Sequence, residues 1–149
     1  MAVSNLEIVT GSIEEAIALS KLLPEFTDPH GPDAYRKRFQ EKPYLISIAK
    51  IEACAVGFKV AYEREGYCYS WLGGVLPDYR SKGIASALAD TQEAWAKNQG
   101  YSTITMKTRN RHRNMLHMVL KRGFNIIGFE AHAEENEHRI WLRKSLVAE

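Results

Sequence analysis

Between Val75 and Ser86 the chain reads Val-Leu-Pro-Asp-Tyr-Arg-Ser-Lys-Gly-Ile-Ala-Ser. A strand-like run breaks at Pro77, crosses a short basic turn and enters a helix. A helix start leaves backbone N–H groups without intrahelical partners and carries partial positive charge, so an anion placed there gains hydrogen bonds and favourable electrostatics together. Arg80 and Lys82 add full charges. Gly83 has no Cβ and lets the backbone close on a bulky phosphate, while Ala85 keeps the following position small. The ligand this implies carries a pyrophosphate. Other phosphate motifs are absent: there is no Gly-x-x-x-x-Gly-Lys-Ser/Thr, and no Gly-x-Gly-x-x-Gly follows the first predicted strand.

A second run with chemistry in it is Lys107-x-Arg109-Asn110-Arg111-His112-Arg113-Asn114. It suits an anion, but it also reads as a solvated basic face whose asparagines cap a helix. Upstream, Tyr67, Tyr69 and Trp71 alternate onto one face of a predicted strand, where they line a pocket or join a core.

The elements that must position these residues follow from periodicity and punctuation. Leu6–Val9 reads as a strand, and Ser12 with Glu15 forms a capping box for a helix whose buried face is Ile13, Ala16, Ile17, Leu19, Ser20 and Leu23, ended by Pro24. A loop over 25–31 leads to a second helix over 32–40. Strands at 44–49 and 53–60 form a meander, and a turn at Arg64-Glu65-Gly66 feeds the strand 67–75, in which the pair Gly73-Gly74 marks a bulge or a close backbone approach. After the cradle, Ile84, Leu88, Thr91 and Trp95 make a helical stripe capped at Gly100. A strand at 102–108 returns beside 67–75 by a right-handed crossover. A helix over 113–122 stops at Gly123, and strands at 126–130 and 139–143 close the chain across a polar loop at 134–137.

At 149 residues and 45% hydrophobic content, the chain has the size of one domain, 1–149, with a real core. A net charge of +2 gives no general attraction to nucleic acid or membrane. No run is long and apolar enough to span a bilayer, and residues 1–7 lack the basic head and apolar core of a signal peptide, so the expected location is cytoplasmic. Cys54 and Cys68 fall on neighbouring strands, with Cys68 expected opposite residue 61 or 62, too far from Cys54 for a disulfide. No His/Cys cluster has metal-ligand spacing, so no metal is expected.

Arg80-x-x-Gly83-x-Ala85, preceded by Val75-x-Pro77, resembles the acyl-CoA-binding motif of the GNAT superfamily of N-acetyltransferases. Gly123-Phe124 after the late helix and the order of elements resemble it too. The resemblance spans nearly the whole chain, is strongest from Trp71 to Phe129 and weak before about residue 40. It implies an α/β (α+β) fold: a mixed, largely antiparallel sheet flanked by helices, with a central strand-helix-strand unit that binds acetyl-CoA as cosubstrate. In such proteins the strands on either side of the crossover helix splay apart around the pantetheine arm. By that resemblance Val75 offers main-chain bonds to pantetheine, the N–H groups of Arg80, Ser81, Lys82, Gly83, Ile84, Ala85 and Ser86 hold the pyrophosphate, and Asn110 or Asn114 bonds the pantetheine or fixes its loop. The neighbouring charges meet the 3′-phosphate.

The reaction so implied is direct attack of a primary amine, from a small molecule or a protein, on the thioester. One position departs from the pattern. Relatives often carry a tyrosine four residues before the helix-ending glycine, where it protonates the departing thiolate, and this chain has Val119. A thiol of pKa near 8.5 leaving at pH 7 lies only about 2 kcal/mol uphill, so an acid is helpful but dispensable. Candidate bases are Tyr69 or a Trp-flanked water on its strand, His30, His112, His132 and His138, none singled out by spacing, and no catalytic residue is assigned. No Asp or Glu lies within 67–75. The rival reading is a non-catalytic acyl-CoA-binding sensor. A nucleic-acid binder using 107–113 is disfavoured by the near-neutral total charge, and a homodimer fits the family's habit.

Overall fold

The computed structural model describes residues 5–147. Seven strands, β1 (Leu6–Thr10), β2 (Tyr44–Ile51), β3 (Cys54–Arg64), β4 (Tyr67–Val75), β5 (Thr103–Arg109), β6 (Asn125–Glu130) and β7 (Arg139–Ser145), form one sheet in the order β1-β2-β3-β4-β5-β7-β6. Every neighbouring pair is antiparallel except β4 and β5. Helices α1 (Ile13–Leu22) and α2 (Pro32–Phe39) pack on one face, and α3 (Ile84–Asn98) and α4 (Arg113–Lys121) on the other.

The local signals act as their chemistry requires. Ser12 Oγ accepts from the Glu15 N–H at 3.1 Å while the Ser12 N–H donates to Glu15 Oε1 at 3.0 Å, completing the capping box of α1. The β3–β4 turn has only two central residues, Glu65 at φ 51° and Gly66 at φ 86°, the positive pair that a primed hairpin turn needs. That carries β3 beyond its expected end at Val60 to Arg64, and it sets Cys68 opposite Glu63 rather than 61 or 62. Cys54 and Cys68 are both free thiols, the first exposed and the second buried.

A bulge between Val60 and Ala61 on the β3 side leaves Trp71 as an extra residue of β4. Alternation therefore flips. Tyr69, Trp71 and Leu72 all join the core under α1 and α2, whereas Val75 joins the cluster under α3 with Ile84 and Leu88. The glycine pair answers to neighbouring side chains: a Cβ on Gly74 would sit 2.5 Å from Leu23 Cδ1, and one on Gly73 would sit 3.3 Å from Lys59 Cγ. Lys59 thus crosses its strand partner toward the β4–β5 side.

The expected stripe on α3 is corrected. Ile84 and Leu88 are buried, but the face continues through Ala89, Gln92, Glu93 and Ala96 rather than Thr91 and Trp95. Glu93 is drawn inward by two cations, since it accepts from Arg122 Nη2 at 3.0 Å and from Lys144 Nζ at 2.6 Å. Helix α4 buries Val119 alone, and its N-cap is His112, with no side-chain cap bond; neither Asn110 nor Asn114 caps it.

Candidate active site

Strands β4 and β5 pair only from Cys68–Ser70 to Ile104–Met106. Beyond Ser70 and Met106 they part, because β4 follows β3 past its bulge while β5 stays paired to β7 as far as Arg109. The gap opens a cleft of about 1350 Å³ that runs from Trp71 and Tyr69 to the first turn of α3.

At the α3 end, Pro77–Tyr79 forms a 3-10 turn, and Ser81 (φ 62°) and Gly83 (φ 82°) take left-handed backbone conformations before the helix begins. Gly83 is the N-cap and offers no side-chain cap. Among the described residues no acceptor meets the N–H groups of Ser81 to Ser86, and Ser81, Gly83, Ile84, Ala85 and Ser86 all line the cleft. Free donors, a helix start and a left-handed glycine make a seat of the right size and polarity for a pyrophosphate.

Side chains of the motif divide differently from the sequence expectation. The Arg80 guanidinium is committed within the protein: Nε donates to the Val75 carbonyl at 2.9 Å and Nη2 donates to the Glu25 carboxylate at 2.7 and 2.9 Å. It ties the loop after α1 to the end of β4, and it takes one lone pair of the Val75 carbonyl. Lys82 is exposed and does not line the cleft. Of the two asparagines, Asn114 lines the cleft and Asn110 does not; Asn110 Nδ2 donates to the Glu135 carbonyl at 3.1 Å and its N–H to the His138 carbonyl at 2.8 Å, fixing the β6–β7 loop. Arg109 and Arg111 face Glu137 at 3.7 and 3.6 Å while still lining the cleft.

The candidate bases separate as well. Burial pushes the Tyr69 phenol up to about 12, so it stays protonated near neutrality. His132 and His138 lie outside the cleft, the His132 N–H donating to His138 Nδ1 at 2.8 Å. His30 and His112 line it. Burial, then the Arg38 charge, holds His30 below its ordinary value against a weaker pull from Asp28; burial, then Arg111 and Arg109, does the same for His112. Both imidazoles are neutral at pH 7 and can accept a proton. The His30 ring lies 5.1 Å from that of Trp71.

Two residues carried no sequence signal. Glu25 reaches the cleft from a loop fifty-five positions before its partner Arg80. Lys59 lies deep in the cleft floor yet keeps part of its surface open, and it also lines a cavity of about 10 Å³, room for about one water, beside Val119 and Gln92. Burial, reinforced by the Arg122 charge and opposed by Glu93 and Cys68, brings its ammonium down to about 8.

A sheet that opens between two parallel strands onto the start of their crossover helix is the arrangement that the resemblance to GNAT acetyltransferases implies. The acetyltransferase (GNAT) family profile matches residues 15–124, and the chain belongs to that family. Solved structures share the fold. Ard1 from Thermoplasma volcanium superposes with a TM-score of 0.80 at 16% identity, covering 97% of this chain and 99% of that one. The ribosomal-protein-S18-alanine N-acetyltransferase from Escherichia coli gives 0.81 at 14% identity, covering 97% and 96%. A GNAT family acetyltransferase from Elizabethkingia anophelis with acetyl-CoA bound gives 0.72 at 16%, covering 96% and 99%. No curated protein matches the chain in sequence. Among the described residues no helix is long and apolar enough to cross a membrane.

Proposed function

We propose that the protein transfers an acetyl group from acetyl-CoA to a primary amine by direct attack of the amine on the thioester. The observation that carries this reading is the row of unpartnered N–H groups from Ser81 to Ser86, set at the end of the cleft that opens where β4 and β5 cease to pair. The pyrophosphate takes the N–H row, and Asn114, Arg109 and Arg111 are the side chains available to the rest of the carrier. Acetyl-CoA supplies the activated acetyl group. The chain's own residues orient it and manage protons.

The acceptor enters from the side of Trp71, where His30 takes the amine proton as neutral imidazole. The nitrogen forms a bond to the acetyl carbon, the carbon–sulfur bond breaks, and the electron pair leaves on sulfur. Lys59 is the proton source for that thiolate. An ammonium near 8 and a thiol near 8.5 exchange a proton at little cost, so the chain supplies an acid in the cleft floor without the tyrosine that Val119 replaces.

The test is release of free thiol from acetyl-CoA across a panel of amines, run beside thermal shifts with CoA. Thiol release that depends on the amine supports transfer. A thermal shift without turnover on any amine supports the rival reading of an acyl-CoA sensor, and neither response removes both.

A further inference from the structure

The end of the cleft that receives the acceptor is lined by four cations from four elements: Arg38 of α2, Arg64 at the end of β3, Lys107 of β5 and Arg139 at the start of β7. None of the four is in an ion pair among the described residues. Aromatic rings hold three of them. The Arg38 guanidinium lies 4.5 Å from the Trp71 ring centre; Arg64 lies 4.9 Å from Tyr69 and 5.7 Å from Trp141; the Lys107 ammonium lies 5.0 Å from Trp141. A ring face orients a cation without neutralising it, so N–H groups stay available to an anion, although Arg38 Nη1 already donates to the Ala34 carbonyl at 3.3 Å. Arg139 is oriented by a neutral acceptor, the Glu137 carbonyl at 2.8 Å.

The nearby carboxylates do not cancel this charge. Glu130 favours the charged form of Lys107 from a distance and is itself held by the Trp141 indole N–H, and Asp28 stands by His30. Lys107 is pushed below its ordinary value by burial first, and then, against Glu130, by Arg139, Arg64 and Arg109. The cations therefore repel one another in the free protein. A chain whose net charge is only +2 has gathered them at one end of one cleft.

We infer that the acceptor is an amine that carries its own anionic group, a carboxylate or a phosphonate, and that Arg64 and Lys107, flanked by Arg38 and Arg139, bind that group. The inference rests on the acetyl-transfer reading for the amine and on the cation cluster for the anion. Forked guanidinium contacts to a carboxylate are directional as well as strong, so the cluster orients the acceptor while its charge does a second thing: it disfavours the ammonium form of the nearby amine, leaving more of it as the nucleophile. Polyamines and multiply cationic amines meet repulsion in the same place.

Two measurements test this. In the first, tryptophan fluorescence follows titration with glutarate and with methylphosphonate, neither of which is an amine; saturable binding is expected, weakened about tenfold or more by Arg64→Gln and by Lys107→Gln, as loss of a charge-assisted hydrogen bond predicts. In the second, thiol release is compared for 4-aminobutyrate against butylamine and for 2-aminoethylphosphonate against ethylamine, with spermidine and a short acidic peptide as further arms. The anionic member of each pair is expected to lead by about tenfold or more in kcat/KM, and the Arg64→Gln variant to lose that lead, its rate falling more for the anionic member of each pair than for the plain amine. Preference for spermidine, equal rates within each pair, or anion binding indifferent to both variants overturns the inference. Anion binding at the cluster with no amine acetylated removes the transferase reading and leaves the anion site standing; acetylation blind to charge does the reverse.

Discussion

Replacing Lys59 by methionine isolates the energetic consequence of the buried ammonium. The fall in its pKa from 10.5 to about 8 corresponds to about 3 kcal/mol of destabilisation while the group is charged, at roughly 1.4 kcal/mol per pH unit. Below pH 8 the lysine is protonated in both folded and unfolded chains, so the full penalty stands. Between about 8 and 10.5 the unfolded chain binds the proton and the folded chain does not, and folding stability rises with pH. Above 10.5 both are neutral and the penalty is gone. Methionine is close in length, apolar and adaptable to the path over Gly73, and Glu93 keeps Arg122 and Lys144 as partners. The variant is therefore expected to be more stable than the parent at pH 7 by up to about 3 kcal/mol, a shift in urea midpoint of about 1 to 2 M for a chain of this size. The gap should shrink steadily from pH 8 to pH 10. Urea unfolding of both proteins at four pH values measures it, and ionisations common to the two proteins cancel in the difference. A methionine variant less stable at pH 7, or a difference that stays flat with pH, would refute the argument that burial sets this lysine's pKa.

The same variant bears on catalysis: kcat of the parent should fall above about pH 8 as Lys59 loses its proton, and that alkaline limb should vanish in Lys59→Met together with a lower plateau, whereas an unchanged profile removes Lys59 as the acid. Gly83→Val should abolish the thermal shift caused by CoA, because a branched side chain is strained at φ 82° and would stand where the phosphates approach; a folded variant with the full shift eliminates the cradle. Lys82→Glu should change CoA affinity by less than about threefold at physiological salt, since an exposed charge off the cleft acts only through screened space, and a larger loss would mean that its side chain reaches the ligand. In His30→Gln, kcat/KM should drop and lose the acidic limb expected of the parent, which burial and Arg38 shift below the ordinary imidazole range; a retained limb points to His112.

The sequence alone determines what neighbouring residues decide among themselves. Ser12 and Glu15 cap α1 because they lie one turn apart, Pro77 and Gly83 bracket the cradle because each restricts or frees its own backbone, and the crossover from β4 to β5 follows from strand, helix and strand in succession. The strand-turn-helix unit was legible on that basis, and the GNAT fold through the resemblance carried by Arg80-x-x-Gly83-x-Ala85. Register was not. One extra residue at the Val60/Ala61 bulge turns Val75 to the α3 face and sends Lys59 across Gly73, and nothing local to Lys59 distinguishes it from an exposed lysine. Arg80 looked like a phosphate ligand in its motif, yet it is bound by Glu25, which only the fold brings near. The four cations near Trp71, Tyr69 and Trp141 come from α2, β3, β5 and β7. Charge, unlike backbone preference, acts through space, so which side chains meet, and how far burial displaces their protons, is decided when the sheet closes and the separate elements are brought within a few ångströms of one another.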